Sequence, residues 1–78
     1  MYTTYIIFSG SIQKYYTGST EDLSRRINEH NRGKTPFMRS GKPWVIVYSR
    51  NFKERAEAVK HERFIKKRGA SRFLSDIK

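Results

Sequence analysis

The absence of cysteine most constrains the fold of this 78-residue chain. Small domains usually rely on disulfides, a structural metal or a very well packed core. Without thiols, disulfides and thiolate-bound zinc are excluded, so the core must consist of packed Ile, Val, Leu, Phe and Tyr side chains. Hydrophobic residues make up 36% of the sequence, which predicts one small domain over residues 1–78.

The charge balance is the second constraint. Seventeen Lys and Arg against seven Asp and Glu give a net charge of +10, which attracts polyanions and makes nucleic acid the expected partner. A merely solvated basic surface is the alternative. The longest apolar run, Trp44–Tyr48, is far shorter than the ~20 residues of a membrane-spanning helix, and Met1–Phe8 carries no basic leader. A cytoplasmic protein without a membrane partner is therefore expected.

Two runs rich in β-branched and aromatic residues, Tyr2–Phe8 and Ile12–Thr17, predict a β-hairpin. If Gly10-Ser11 forms a two-residue turn, Tyr5 lies opposite Tyr16 on the same face of the sheet. A longer loop would shift this register.

A helix is predicted to follow the hairpin, with a hydroxyl N-cap near Thr20 and an end at Gly33. Leu23 and Ile27 mark its buried stripe. Arg26 and His30 flank that stripe, and Arg25 is expected to point away.

The second half of the chain divides into four predicted segments. Lys34–Pro43 is typical of an irregular basic loop, and Trp44–Tyr48 predicts a third strand, apolar on both faces and therefore central or covered. Phe52–Arg68 is helical in composition, and Ser71–Ile77 predicts a short last helix. The fold class is α+β: helices packed on a small three-stranded antiparallel sheet, in the order β-β-α-β-α-α.

Glu62 lies inside the apolar stripe of the long helix, close to Val59 and Ile65. An unpaired buried carboxylate is costly, so Glu62 must be paired, bind a metal or lie at the edge of a cleft. A salt bridge to Lys66 or Arg26 is the simplest alternative.

Arg26 needs an anion, which could be Glu62 or a bound phosphate. His30 beside apolar neighbours is more often a structural histidine. Tyr5 and Tyr16 add two phenols on adjacent strands, and a phenol near a cation can accept a proton from water. An arginine and a metal-binding carboxylate can together neutralise the charge of a reacting phosphate.

These residues stand in a recognisable order. Thr3-Thr4-Tyr5 occupies the place of a first motif and keeps only its tyrosine, and Tyr16-Thr17-Gly18 occupies that of a second. Arg26, Glu29-His30-Asn31 and the helix with Glu62 follow. The chain resembles a stand-alone GIY-YIG nuclease domain, similar to the N-terminal catalytic domain of the ABC excinuclease. It departs from the pattern in lacking the first motif's Gly and Ile and a late polar residue.

The resemblance implies a metal-dependent endonuclease that hydrolyses DNA phosphodiesters, with a role in repair or recombination. Glu62 would hold Mg²⁺ or Mn²⁺, Tyr16 would act as general base and Tyr5 would assist it. Arg26 would stabilise the charge on the phosphate, and His30 would position phosphate or water.

Backbone contacts are expected from five basic residues, chosen by position and charge: Lys34, Arg39, Lys42, Arg63 and Lys67. Two alternatives stay open at this stage. The first is a nucleic-acid-binding module that keeps the fold and the charge without turnover. The second is a structural partner of a larger repair or ribonucleoprotein assembly, for which an exposed apolar patch near Phe37, Trp44 or Phe73 would argue.

Overall fold

The computed structural model describes residues 1–33 and 35–78. Its elements, in chain order, are β1 (Tyr2–Ser9), β2 (Lys14–Thr20), α1 (Leu23–Arg32), α2 (Pro36–Ser40), β3 (Trp44–Phe52), α3 (Arg55–Arg68) and α4 (Ala70–Asp76). The α+β class and the three-stranded antiparallel sheet are confirmed. The predicted irregular loop was wrong in one respect, since it contains the short helix α2, which begins at Pro36 with Thr35 as its N-cap.

The strand order is β2-β1-β3, so β1 is the central strand. Five consecutive β1 residues, Thr3 to Ile7, are buried because neighbours cover both edges and helices cover both faces. The predicted central position of β3 is wrong: β3 is an edge strand, and Val45, Ile46 and Val47 are 50%, 44% and 43% exposed. The apolar run in β3 makes this strand suitable for burial, but it does not show whether another element packs on it.

The hairpin register also differs from the prediction. A four-residue loop, 10–13, replaces the two-residue turn, so Tyr5 pairs with Gly18 and Ile7 pairs with Tyr16. The loop supplies its own hydrogen bonds: the Ser9 hydroxyl accepts from the Ile12 amide at 3.3 Å. Tyr5 and Tyr16 remain on the same face, because residues two apart along a strand point the same way, and their ring centroids are 6.4 Å apart.

The two faces of the sheet hold separate cores. On one face, Tyr5, Ile7 and Trp44 form a buried cluster against α1 and α2, with Leu23 and Met38 packed around it. The other face carries α3 and α4, where the buried cluster is Ile6, Ile65 and Phe73. The central strand therefore contributes alternate residues to two cores, and this fixes which side chains face α1.

Helix α1 begins at Leu23, because the Asp22 carboxylate caps it by accepting from the Arg25 amide at 3.0 Å. The predicted end at Gly33 is confirmed by its left-handed φ of 72°. Asn31 fixes this end of α1 to the sheet: its Oδ1 accepts from the Trp44 amide at 2.7 Å, and its Nδ2 donates to the Trp44 carbonyl at 3.2 Å.

The later boundaries shift by one to four residues. Strand β3 runs on to Phe52, so α3 begins at Arg55 rather than at Phe52. Helix α4 begins directly after Gly69, at Ala70 rather than at Ser71. Within the described part of the chain, no helix is long and apolar enough to cross a membrane.

Candidate functional site

Tyr5 is 2% exposed, and its ring crosses over Gly18 on the neighbouring strand. A Cβ built at Gly18 would lie 2.6 Å from the Tyr5 hydroxyl oxygen and 2.9 Å from Cζ. Real Cβ contacts are longer than this, so only glycine lets the phenol lie here. Gly18 of the second motif therefore holds the tyrosine of the first motif in place.

The last turn of α1 brings His30 to this phenol. Nε2 of His30 is 3.1 Å from the Tyr5 hydroxyl, and Nδ1 is 2.8 Å from the Met38 sulfur. A thioether can only accept, so the proton of the neutral ring belongs on Nδ1. Nε2 is then the acceptor, and Tyr5 donates its hydroxyl proton to His30. His30 is itself only 6% exposed.

Burial keeps both groups neutral. Desolvation, followed by the nearby Tyr16, raises the pKa of Tyr5 far above its usual value of 10.0, and Arg26 only partly opposes this rise. Desolvation and then the positive charge of Arg26 lower the pKa of His30 below 6.5, although Glu29 opposes the shift. Near neutral pH, therefore, Tyr5 keeps its proton and His30 stays uncharged, which is the pairing that their hydrogen bond requires.

Arg26 and Glu62 line one cleft of about 300 Å³, beside the far end of β2. The cleft is strongly charged, with three arginines and two glutamates among its lining residues: Arg25, Arg26, Arg55, Glu21 and Glu62. The expectation that Arg25 points away is wrong, because α1 begins beside the cleft and both arginines line it. Three cations against two carboxylates leave this cleft positive and suited to an anion.

One donor of Arg26 lacks a hydrogen-bond acceptor among the described residues. Its Nε is buried and donates no hydrogen bond to any of residues 1–33 and 35–78. The nearest carboxylate oxygen, on Glu29, is 3.7 Å away, which permits electrostatic attraction but is too long for a hydrogen bond. A buried guanidinium donor left in this state can be satisfied by an anion in the cleft.

Glu62 is 19% exposed, and its Oε2 lies 2.7 Å from Nζ of Lys66, one turn further along α3. The simple alternative raised by the sequence, a salt bridge to Lys66, is therefore present. Among the described residues, no group of three or more His, Cys, Asp or Glu side chains converges on a point. A metal here would rely on Glu62, water and substrate, which fits Mg²⁺ because this ion usually takes one or two carboxylates and phosphate oxygens.

Tyr16 lines a second hollow, of about 560 Å³, which is linked to the cleft by the ion pair between Lys66 of the hollow and Glu62 of the cleft. Its ring packs edge-on against His30, with centroids 4.9 Å apart. Tyr5, Tyr16 and His30 thus form one contacting cluster, while Arg26 and Glu62 line the adjoining cleft. Both of the latter charges act on the buried phenol of Tyr5. The five predicted residues are neighbours, but they do not share one opening.

The candidate nucleic-acid contacts are spread more widely. Arg39 and Lys42 are exposed near α2, and Arg63 and Lys67 are exposed on α3. Lys34 lies outside the described residues. None of the four described side chains lines the cleft, so their expected role stays a prediction.

The cleft-lining Arg25 and Arg55 were not identified from the sequence. Arg25 is adjacent to Arg26 and falls off the apolar stripe, so periodicity placed it on the solvent side. Arg55 starts α3, whose first turn was predicted incorrectly. The one available signal was the excess of arginine at these two helix starts.

The chain matches the model of the GIY-YIG catalytic domain over residues 1–74. The antiparallel three-stranded sheet with its helices is consistent with the nuclease-like fold of that domain. The chain belongs to the GIY-YIG catalytic domain family.

Curated relatives place it among small proteins of that family. A UPF0213 protein of Streptococcus agalactiae is 38% identical over 64 residues, covering 81% of this chain and 73% of the relative. One of Desulfotalea psychrophila is 39% identical over 65 residues, with 81% and 59% covered. One of Halobacterium salinarum is 38% identical over 53 residues, with 67% and 69% covered. No solved structure matches at comparable significance.

Proposed function

We propose that this protein is a divalent-metal-dependent endonuclease that hydrolyses phosphodiester bonds in DNA, with a role in repair or recombination. One observation carries the proposal: Arg26, whose buried Nε donates no hydrogen bond to the described residues, and the carboxylate of Glu62 line the same positively charged cleft. An anionic group with a bound cation satisfies both side chains at once. A phosphodiester with a metal ion is such a group.

Each charged side chain has a defined task in this scheme. The Arg26 guanidinium binds the scissile phosphate and stabilises the charge that develops on it. Glu62 would hold Mg²⁺ or Mn²⁺, which when bound neutralises phosphate charge and lowers the pKa of a coordinated water. Arg25 and Arg55 add positive charge around the same phosphate.

The tyrosines differ in their proposed roles because they differ in burial. Tyr16 is half-buried and lines the opening next to the cleft, so we assign it the task of general base for water. Tyr5 is buried, its hydroxyl proton is donated to His30 and its pKa is raised, so it is not accessible to water as a base. It instead fixes the ring of His30 through their hydrogen bond.

The role of His30 is correspondingly indirect. Both ring nitrogens have partners within the protein, Tyr5 and Met38, so the imidazole is not available for phosphate. It supports Tyr16, whose ring packs against it. We therefore assign His30 as a positioning residue, which differs from the direct phosphate contact that the family resemblance implied.

A second function is favoured by one observation. Lys66 already neutralises the Glu62 carboxylate, as expected of a domain that binds nucleic acid through its positive charge without turnover. Such a module would bind DNA and never cut it. Binding and cleavage must therefore be measured separately on the same variants.

The test compares Arg26→Ala and Glu62→Ala with two controls. Arg32→Ala removes an exposed arginine from the end of the same helix as Arg26. Glu21→Ala removes the other carboxylate of the cleft. We expect each of the first two substitutions to abolish nicking of DNA with Mg²⁺ or Mn²⁺, while affinity in EDTA falls no more than with Arg32→Ala. Both controls should still nick. Equal nicking by all five proteins would refute the catalytic assignment.

A further inference from the structure

Lys66 belongs to both openings of the site. Its ammonium is 2.7 Å from the Glu62 carboxylate, which lines the cleft. The same lysine lines the second hollow, together with Tyr16. Its side chain is 55% exposed, so it is not held by packing and can change partner. One flexible cation therefore connects the carboxylate of the cleft with the neighbouring hollow.

Glu62 cannot serve Lys66 and a divalent ion equally well. An ion bound to Glu62 would lie within a few ångströms of the ammonium, and two cations at that distance repel each other. Lys66 is thus a competitor for the cation position while it stays on Glu62. Binding of a divalent ion becomes easier when Lys66 has another anion to contact.

The second hollow carries basic side chains that can contact such an anion. Its basic lining residues are Lys66, Arg68 and Arg72, and Ser71 adds a hydroxyl group. The Asp76 carboxylate holds Arg68 in place, accepting from its Nε at 2.8 Å and from its Nη2 at 3.0 Å. The Arg72 side chain is exposed and its charge also acts on Asp76, without an ion pair within 4 Å among the described residues. At about 560 Å³ the hollow has room for a phosphate with its sugar.

We propose that the second hollow is a binding subsite for a backbone phosphate of the nucleic acid strand, adjacent to the phosphate in the Arg26–Glu62 cleft, and that Lys66 leaves Glu62 to bind it. This inference rests on the proposed function, since it takes a phosphodiester strand as the ligand. Because Lys66 moves from Glu62 to the anion, binding of an anion in the hollow favours binding of a divalent cation at Glu62, and the reverse also holds. By thermodynamic linkage each tightens the binding of the other by the same factor.

Substitution of Lys66 separates cation binding at Glu62 from anion binding in the second hollow. Lys66→Met deletes the competing ammonium and keeps a residue of high helix propensity, so α3 should persist. Without any nucleic acid, this variant should bind Mn²⁺ about two- to fivefold more tightly than wild type, the ratio expected from removal of a half-exposed ion pair. Lys67→Met is the matched control, because it makes the same charge change on an exposed neighbour that does not contact Glu62.

The measurement follows Mn²⁺-induced broadening of backbone amide signals around Glu62 by NMR. Dimethyl phosphate, the simplest phosphodiester anion, is added in a second arm, with sodium chloride at equal ionic strength as its control. In wild type, dimethyl phosphate should lower the half-saturating Mn²⁺ concentration toward that of Lys66→Met. In Lys66→Met it should have no further effect.

Three results would overturn the inference. These are an unchanged Mn²⁺ affinity in Lys66→Met, an equal increase in Lys67→Met, and absence of broadening near Glu62 in Lys66→Met. Failure of the proposed function is seen elsewhere, as absence of DNA nicking by wild type. If wild type nicks DNA but Lys66→Met binds Mn²⁺ no more tightly, the proposed function stands and this inference is refuted. If wild type does not nick DNA but Lys66→Met does bind Mn²⁺ more tightly, the proposed function is refuted and the competition between Lys66 and the cation stands.

Discussion

Gly18→Ala tests how the phenol of Tyr5 is held. The added Cβ would lie 2.6 Å from the Tyr5 hydroxyl oxygen and 2.9 Å from Cζ, and the ring is buried, so it cannot swing into solvent. Overpacking of this kind costs about 1–3 kcal/mol, and loss of the hydrogen bond to His30 adds about 1 kcal/mol. The lower entropy of the unfolded alanine chain offsets about 0.4–1 kcal/mol.

The net expectation is a loss of about 1–3 kcal/mol in the free energy of unfolding. With a slope of about 1 kcal/mol per molar urea for a domain of this size, the urea midpoint should fall by about 1–3 M. Gly10→Ala is the control, since no atom lies within 4 Å of a Cβ at that position. Its midpoint should stay close to that of wild type.

Tyr5→Phe sharpens the test. It removes the oxygen that Gly18→Ala would strike, so the combined variant should lose about 1 kcal/mol less than the sum of the two single losses. Gly18→Ala as stable as Gly10→Ala, or fully additive single losses, would refute the contact between Tyr5 and Gly18.

Three further predictions concern pH, the α1–β3 junction and salt. Because the pKa values of both His30 and His61 are lowered in the folded protein, the unfolded chain takes up protons first as pH falls below about 6.5, so stability should decrease there. Urea midpoints between pH 5 and 7.5 check this, and a rise toward acid pH would contradict it. Asn31→Ala removes both hydrogen bonds to the Trp44 backbone. It should lower the free energy of unfolding by about 1–3 kcal/mol. An unchanged urea midpoint would show that the junction between α1 and β3 does not depend on Asn31. DNA affinity should fall steeply with salt, and Arg55→Gln should reduce the slope of log affinity against log salt by about 1. Fluorescence anisotropy between 50 and 200 mM salt measures both quantities. A flat slope would exclude a dominant role for phosphate contacts.

Local residue patterns in the sequence were sufficient to predict much of the fold. The glycines at 33 and 69 end helices as expected, because each lies where the helical pattern stops and one of them adopts a left-handed conformation. The strand composition of Tyr2–Phe8 likewise predicted the first strand. In contrast, the central position of β1 depends on which strands pair with it, and the apolar run Trp44–Tyr48 carries no information about its partners.

The candidate site shows the same division. Glu62 was identified because a carboxylate stands inside an apolar stripe, and its Lys66 partner because it lies four residues on. The separation of the site into two openings could not be predicted. The strand register was missed as well: the hairpin loop has four residues, so Tyr16 pairs with Ile7 instead of Tyr5. Nothing local in the sequence distinguishes that loop from a two-residue turn.

The central claim is that the Arg26–Glu62 cleft hydrolyses phosphodiester bonds. Its most direct test is the cleavage rate of wild type beside Glu62→Gln on duplex, single-stranded, flap and junction DNA, with Mg²⁺ or Mn²⁺. We predict that wild type cuts at least one of these substrates and that Glu62→Gln cuts it about 100-fold more slowly or not at all. No cleavage by wild type on any substrate, or equal rates for the two proteins, would contradict it.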